Sequence, residues 1–315
     1  MPDLISAEQL RDLIAKRQPL RDLVLTGGNY RGINLNHCRL ERVDARDACF
    51  DEAQLGNTVW DGCQLDGARF ARASATGTKF SDCSLDRASF VGTQFNAGYW
   101  LRCAGEALDF SDARIEGVSI VQTRLRAPKL ANATLALCQW SDCTLEDFDG
   151  TGAHWQQMRL TGCQLVNARF YRVTMLQCAF DESTLTGADF TEATAISLSL
   201  YRCKAQHLKA TNARLDKGIF SEAHLDEADF SGAFLEMANL SGAQLDRARF
   251  VGAVMEYAML RNVNATQATF DSAHLMGADF HAARLESCDW RNANHDQIRP
   301  QDSERLAAES WRATV

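Results

Sequence analysis

Large apolar residues recur at every fifth position of this chain. The series starts Leu20, Leu25, Tyr30, Leu35, Leu40, Ala45, Phe50, Leu55, Trp60 and ends Leu275, Phe280, Leu285, Trp290. It runs through 55 consecutive positions without an insertion, and 47 of them hold Leu, Ile, Met, Phe, Tyr or Trp. A helix repeats every 3.6 residues and a strand every two, so neither generates this pattern. A second, small-residue column lies two positions earlier: Ala48, Ala53, Thr58, Cys63, Ala68, Ala73, Thr78, Cys83, Ala88. Between Ala223 and Ala283 that column is Ala at twelve of thirteen positions, broken by Val263. Each unit reads small, polar, large, polar, polar, as in Ala228-Asp229-Phe230-Ser231-Gly232 and Ala238-Asn239-Leu240-Ser241-Gly242.

A period this short, sustained this long, is the mark of a solenoid. The units resemble those of the pentapeptide-repeat family, and the resemblance covers residues 18–292. It implies an all-β fold, a right-handed quadrilateral parallel β-helix with one pentad per side and four per turn. The residues test that independently, because side chains 20 apart should then stack. One such column reads Tyr30, Phe50, Phe70, Phe90, Phe110, then Phe170, Phe190, Phe230, Phe250, Phe270, Trp290. The column before it is mostly Leu: Leu65, Leu85, Leu125, Leu145, Leu165, Leu185, Leu225, Leu245, Leu285. Aromatic rings stack well on aromatic rings one coil away. About 14 coils spaced by about 4.8 Å predict a rod roughly 65 Å long.

Eight central positions hold Ala or Gly. At most of them the partner two residues earlier is enlarged, as in Val43 with Ala45, Cys103 with Gly105, Phe148 with Gly150 and Leu208 with Ala210. That trade keeps core volume roughly constant. Ala73 with Ala75 and Ala193 with Ala195 are uncompensated, which predicts small voids there. Both ends of the stack need caps. Residues 1–18 are expected to form an N-terminal capping helix over 6–17, with Ser6 and Gln9 as a capping box and Leu10, Leu13 and Ile14 on one face. The β-helix is expected over 19–292, followed by a helical tail, 293–315, with Ser303 as N-cap and Leu306, Ala307 and Trp311 on one side.

Charge and cysteine content narrow the function. The net charge of −8 offers no basic face for nucleic acid. No apolar run approaches a membrane span, and Asp3, Glu8 and Asp12 argue against a secretory signal. Eleven Cys, an odd number, fit reduced thiols in the cytoplasm. Ten of them (Cys38, Cys63, Cys83, Cys103, Cys138, Cys143, Cys163, Cys178, Cys203, Cys288) fall in the small inward column, where a thiol packs as a small hydrophobe. Only Cys49 is read as projecting outward. No C-x-x-C pair accompanies them, so neither metal nor cofactor is expected. His37, His154, His207, His224, His274, His281 and His295 are read as outward or tail positions, as is every repeat Asp and Glu. A filled rod has no cleft to desolvate such groups, so an enzyme is not expected.

Function is therefore sought on the outside. The resemblance includes quinolone-resistance proteins, similar in fold, that bind type II topoisomerases in place of DNA. A DNA mimic needs a dense acidic stripe. The most acidic side, centred on Leu25, Leu65 and Leu85, totals −4 and is interrupted by Arg124, Arg126 and Lys204. That makes a DNA-mimicking topoisomerase (gyrase) inhibitor or protection protein the alternative reading. The leading one comes from the side centred on Leu35, Leu55, Ala75, Phe95, Ile115, Leu135, Trp155, Met175 and Ala195, where Arg114 and Glu116 are the only charges in 45 residues. Further along it, outward positions become large and apolar: Phe234, Met237, Val254, Tyr257 and Met276, with Ile219 and Met259 around the corner. Few charges are expected to oppose burial there. A contiguous apolar patch marks an interface. The expectation is a non-catalytic scaffold or adaptor that binds another protein, or itself as a homodimer, without nucleic acid or membrane insertion. The short opening helix also resembles that of family members found beside bacterial secretion systems.

Overall fold

The structure, a computed structural model, describes residues 4–294, 297–299 and 302–310. Two compact units are distinguished, Met1–Arg169 and Phe170–Val315. The same backbone rule builds each of them. A central residue donates its N–H to the carbonyl 19 residues on, as Leu25 does to Asp44 (2.7 Å) and Leu235 to Val254 (2.7 Å). The residue two after the centre does likewise: Gly27 to Arg46 (2.8 Å), Met237 to Glu256 (2.9 Å). The residue before the centre donates 21 residues back, as in Asp44 to Leu23 and Phe234 to Ala213, both 2.9 Å. The small inward residue closes a turn on the preceding centre, as Ala238 does on Leu235 (3.0 Å).

One backbone donor per pentad, just after the centre, is left over, and a polar donor must find a partner. This explains the Asp or Asn in the repeat. Asp109 accepts the Ser111 N–H at 2.9 Å, Asp229 accepts that of Ser231 at 2.9 Å, and Asn239 accepts that of Ser241 at 3.0 Å. The corner follows from the same geometry. Among the described residues, every positive φ but that of Arg17, which follows the N-terminal helix, falls two places after a centre, on Gly such as Gly77 (+67°) and on other residues such as Asn57 (+53°). A non-Gly residue there costs on the order of 1 kcal/mol, offset by its bond to the next coil.

In the first unit, strands Leu20–Arg21, Arg39–Glu41, Val59–Asp61, Lys79–Ser81, Tyr99–Leu101, Ser119–Val121, Gln139–Ser141 and Arg159–Thr161 form a parallel sheet in strict 20-residue register. A second side carries Ser74–Thr76, Gln94–Asn96, Arg114–Glu116, Thr134–Ala136 and His154–Gln156. A third carries Ala104–Glu106, Arg124–Arg126 and Thr144–Glu146. The fourth is held by single bridges such as Asn29 to Cys49 and Cys49 to Arg69. In the first unit, one ladder passes through Leu4, Val24, Asp44, Gln64, Ser84, Ala104, Arg124, Thr144 and Gln164, nine residues joined by eight bridges. This ladder, which lies wholly within the first unit, differs from the expected count of about fourteen coils. Tyr30, Phe50, Phe70, Phe90 and Phe110 stack in one pile with centroids 5.0–5.4 Å apart. Trp60 meets Phe50 edge-on at 5.3 Å.

Two packing details depart from the sequence reading. Leu108, not Cys103, fills the space that Gly105 leaves: a methyl group on Gly105 would collide with the Leu108 side chain. A void of about 10 Å³ lies among Phe95, Trp100, Phe110, Ile115, Pro128 and Trp140, where the Phe pile gives way to Leu130. It is not lined by Ala75, where a void was expected.

The second unit keeps the register with fewer regular strands. Thr174–Leu176 pairs with Thr194–Ile196, and single bridges continue the ladders as far as Asp279 with Arg299. Pairing therefore outlasts the apolar pattern, because the backbone bonds do not need a large inward residue. Gly277 donates to Gln297 rather than 19 residues on, a one-residue slip in the last coil. Phe230, Phe250, Phe270 and Trp290 stack at 5.2, 5.1 and 4.5 Å.

Helix α1, Ala7–Ala15, carries both halves of the expected capping box, Ser6 Oγ accepting the Gln9 N–H and Gln9 Oε1 accepting the Ser6 N–H. Only Leu10 of its apolar face is fully buried; Leu13 and Ile14 are half-buried. Leu4, ahead of the helix, already pairs with Val24. Helix α2 spans Ser303–Ser310, and Leu306 donates to the Asp302 carbonyl (3.0 Å), so Asp302 rather than Ser303 holds the N-cap position. Trp311 lies outside the described residues.

Phe230 is fully buried between stacked rings, and Ser231 beside it faces outward. Phe230→Asp should lower stability by at least about 3 kcal/mol, since it buries an unpaired charge. Ser231→Ala should cost only about 1 kcal/mol, the worth of its hydrogen bond to Asp229. Denaturant melts of the two variants read the difference, and equal shifts would contradict the register.

Candidate protein-interaction surface

The side of interest in the second unit is built on two buried columns, Ala213, Ala233, Ala253, Ala273 and Leu215, Leu235, Met255, Leu275. Three outward columns stand on them. The first is a ladder of Arg214, Phe234, Val254 and His274. The second, one residue past each centre, reads Asp216, Glu236, Glu256, Met276, and the third, at the corner, Lys217, Met237, Tyr257, Gly277. Phe234, Met237 and Tyr257 expose 42%, 47% and 44% of their surface, while Val254 and Met276 are half-buried. The Arg214 guanidinium sits 5.8 Å from the Phe234 ring centre, a cation–π contact on the ring's flank.

Tyr257 is held by the coil that follows. A methyl group on Gly277 would lie 2.6 Å from the Tyr257 ring, so the ring rests on the bare backbone of Gly277. Both Met237 and Tyr257 occupy left-handed corners, with φ of 56° and 57°. Of the residues singled out in the sequence, the structure brings Phe234 beside Val254 in one ladder. Met237 and Tyr257 lie on consecutive coils, since Met237 donates to Glu256. Ile219 and Met259 lie in one ladder, with Asn239 as the rung between them.

The expectation of few opposing charges needs correction. Asp216, Glu236 and Glu256 form a row of carboxylates, one per coil, between the two apolar columns. Asp216 is engaged, accepting the Glu236 N–H at 3.2 Å and lying 3.7 Å from Arg214. Among the described residues, no cation stands within salt-bridge distance of Glu236 or Glu256. Reading the patch as five apolar residues overlooked this row, although the register places it in plain view.

On the same side of the first unit, the five-strand sheet faces outward with Ser74, Thr76, Gln94, Asn96, Thr134, His154 and Gln156, and Leu137 is 52% exposed. In the second unit, Leu176 is 50% exposed. Val166, 46% exposed on the acidic side, had not been singled out. Several carboxylates elsewhere are paired across coils: Arg42 to Asp22 and Arg102 to Asp82 at 2.8 Å, Arg202 to Glu222 at 2.7 Å, Arg247 to Glu227 at 2.6 Å.

Two acidic residues and one histidine read as outward are buried instead. Asp51 is 4% exposed, because Arg69 and the Ala71 N–H close over its carboxylate. Burial would raise its pKa, but these hydrogen bonds win and hold it below the usual carboxylate range. Asp279 is buried in the same manner against Arg261 (2.6 Å). His281, 3% exposed, donates its backbone N–H to Asp279. His295 lies outside the described residues. Among those described, no group of His, Cys, Asp and Glu is placed to hold a metal ion.

Eight of the ten inward cysteines are buried and two, Cys38 and Cys288, half-buried. Burial pushes Cys138 up to about 11 and Cys203 up to about 12. Cys83 is raised as well, first by the neighbouring thiols of Cys103 and Cys63 and then by burial. Cys49, also half-buried, lies on the outward ladder beside Arg69.

A parallel β-solenoid with a filled core and five-residue units defines a class of repeat protein. The family model for pentapeptide repeats matches in eight copies, over residues 20–59, 63–97, 163–204, 209–242 and 237–275, and the chain belongs to that family. No curated protein matches it. Among solved structures it is similar to HetL, a pentapeptide repeat protein involved in heterocyst differentiation regulation in the cyanobacterium Nostoc sp. strain PCC 7120. That match has 20% identity over 92% of this chain and 94% of HetL, with TM-score 0.30. QnrB1, a plasmid-mediated fluoroquinolone resistance protein, matches at 17% identity over 65% of this chain and 92% of its own, with TM-score 0.39. An alginate lyase matches at 8% identity over 96% and 87%, with TM-score 0.43.

With a thiol reagent under native conditions, Cys49 should react at least roughly 100-fold faster than Cys63, Cys83 and Cys103, which are reached only through local opening. Mass mapping over time measures this, and equal rates would contradict the inward assignment. For Asp51, a depressed carboxylate pKa stabilises the fold above the ordinary range near pH 4, and that stability is lost as pH falls through the depressed value. Asp51→Asn should therefore lose less stability than the parent between about pH 5 and pH 2. Melting curves across that window test it.

Proposed function

We propose that this chain is a non-catalytic scaffold or adaptor that binds another protein, or a second copy of itself, through the face carrying Phe234, Met237, Val254, Tyr257 and Met276, with Ile219 and Met259 at its margin. The observation that carries the reading is the exposure of Met237 and Tyr257 at left-handed corners. Most other described corners hold Gly, Ala, Ser or a polar or charged residue, and Leu137 is a further large apolar one. A large apolar side chain there gains nothing from the core and sits in a costly conformation, so the fold gives no reason for it. Binding does, because exposed aromatic and Met side chains supply contact area at interfaces.

The alternative, a DNA-mimicking topoisomerase inhibitor, needs unpaired carboxylates at phosphate-like spacing. On the acidic side, Glu227 is bonded to Arg247 (2.6 Å) and faces His207 (3.3 Å), and Arg126 reaches both Glu106 and Asp147. Those pairs weaken the mimicry, and the apolar face remains the better supported site.

Met237→Lys with Tyr257→Lys should leave stability within about 1 kcal/mol, since both positions are exposed corners. The pair should abolish association, read as a dimer becoming monomeric in light scattering or as lost capture of a partner. If the double variant matches the parent in both, the face is ordinary surface.

A further inference from the structure

The partner's chemistry can be read one step further, and this step rests on the interface just proposed. The outward face has three parallel tracks, each advancing one residue per coil: apolar Phe234 and Val254, acidic Glu236 and Glu256, then apolar Met237 and Tyr257. Arg214 and Asp216 close one end of the tracks, and half-buried Met276 closes the acidic track at the other. Some corner carboxylates of this unit find an Arg one coil away, as Glu192 does with Arg172 and Glu222 with Arg202. Glu236 and Glu256 find none among the described residues. Covering the apolar tracks with a neutral partner would strip water from two uncompensated charges, which is costly. A partner that brings cations to that row removes the cost and gains orientation from it.

We infer that the face receives a basic amphipathic helix of another protein, lying along the coil axis, with a row of Lys or Arg over Glu236 and Glu256 and apolar residues on both flanks. The spacing argues for a helix. Coils are about 4.8 Å apart, and three to four residues of helix advance about 4.5–6 Å, so a cation every third or fourth residue stays in step with the carboxylates. An extended strand on the same path presents like-facing residues about 6.8 Å apart and drifts out of step within two coils. A helix is about 10 Å across, wide enough to touch both apolar tracks at once. The same carboxylates repel nucleic acid and anionic lipid surfaces.

A displayed library of 18-residue peptides, selected on the full chain and sequenced, tests this directly. Enriched peptides should carry Lys or Arg at i, i+3 or i+4 flanked by Leu, Ile, Phe or Met. A synthetic copy of the leading peptide should bind at least about tenfold more weakly to Glu236→Gln with Glu256→Gln, and more weakly as salt rises. Exchanging its cations for Glu should abolish binding. Enrichment of uncharged or acidic peptides, or unchanged affinity for the Gln variant, would overturn the basic-helix inference. If Met237→Lys with Tyr257→Lys still abolished binding in that case, the interface itself would stand. A library that enriches nothing on the parent, or peptides that ignore both variants, would sink the inference and the interface together.

Discussion

Each coil must hand its backbone hydrogen bonds to the coil on either side, and everything else in this protein is arranged around that obligation. The bonds run 19 residues forward and 21 back, so a single inserted residue would misplace every later donor. This accounts for a repeat that keeps its frame from Leu20 to Trp290, even where a corner donor reaches one residue further, as Asn132 does to Gly152 and Gly277 to Gln297. The obligation also fixes what each position in the pentad can be. The centre fills the core, the residue two before it is small, and the corner turns left-handed to aim its N–H at the next coil. The Asp or Asn ahead of the centre satisfies the one donor that the ladders leave over.

This is why so much of the fold was legible. Period, frame and column identity all follow from a rule applied every five residues, and the stacked rings at Phe230, Phe250 and Phe270 follow from a period of 20. The N-terminal cap was legible for the same kind of reason, since a capping box is local. What escaped depended on side-chain reach. Asp51 occupies an outward position and is nonetheless buried, because Arg69 is long enough to close over it from the next coil. Leu108 fills the gap at Gly105 from the following pentad, which volume matching within one pentad does not foresee. Pairing out to Arg299 went unseen because backbone bonds leave no mark on an apolar pattern.

The candidate face was legible in part. Its apolar residues stood out because they break the rule that outward positions are small or polar. The carboxylates between them did not, because Glu is ordinary at outward positions and only its neighbours make it informative. Nor did the seat of the Tyr257 ring on Gly277, which pairs a large corner residue with a bare one a coil later. Asn57 over Gly77 and Asn212 over Gly232 follow the same pattern, so corner columns are best read in pairs 20 apart.

A solenoid of this kind separates folding from recognition more cleanly than a globular domain does. In a globular domain a surface residue usually also caps a helix, closes a turn or shields the core, so its identity is over-determined. Here the centre, the small inward residue and the Asp or Asn before the centre carry the fold. The corner side chain is left nearly free, beyond the conformation the corner imposes, and the residue after the centre is constrained only where, as at Asp51 and Asp216, it accepts an N–H of the next coil. Free positions drift toward residues that cost least, which at a left-handed corner means Gly, Asn or Asp. Met237 and Tyr257 go against that drift on consecutive coils, and the carboxylates of Glu236 and Glu256 lie between them and the ladder of Phe234 and Val254. A conformational departure and a row of uncompensated carboxylates thus fall side by side. Folding gives no reason for the large corner side chains, whereas a cationic, apolar partner would use both features.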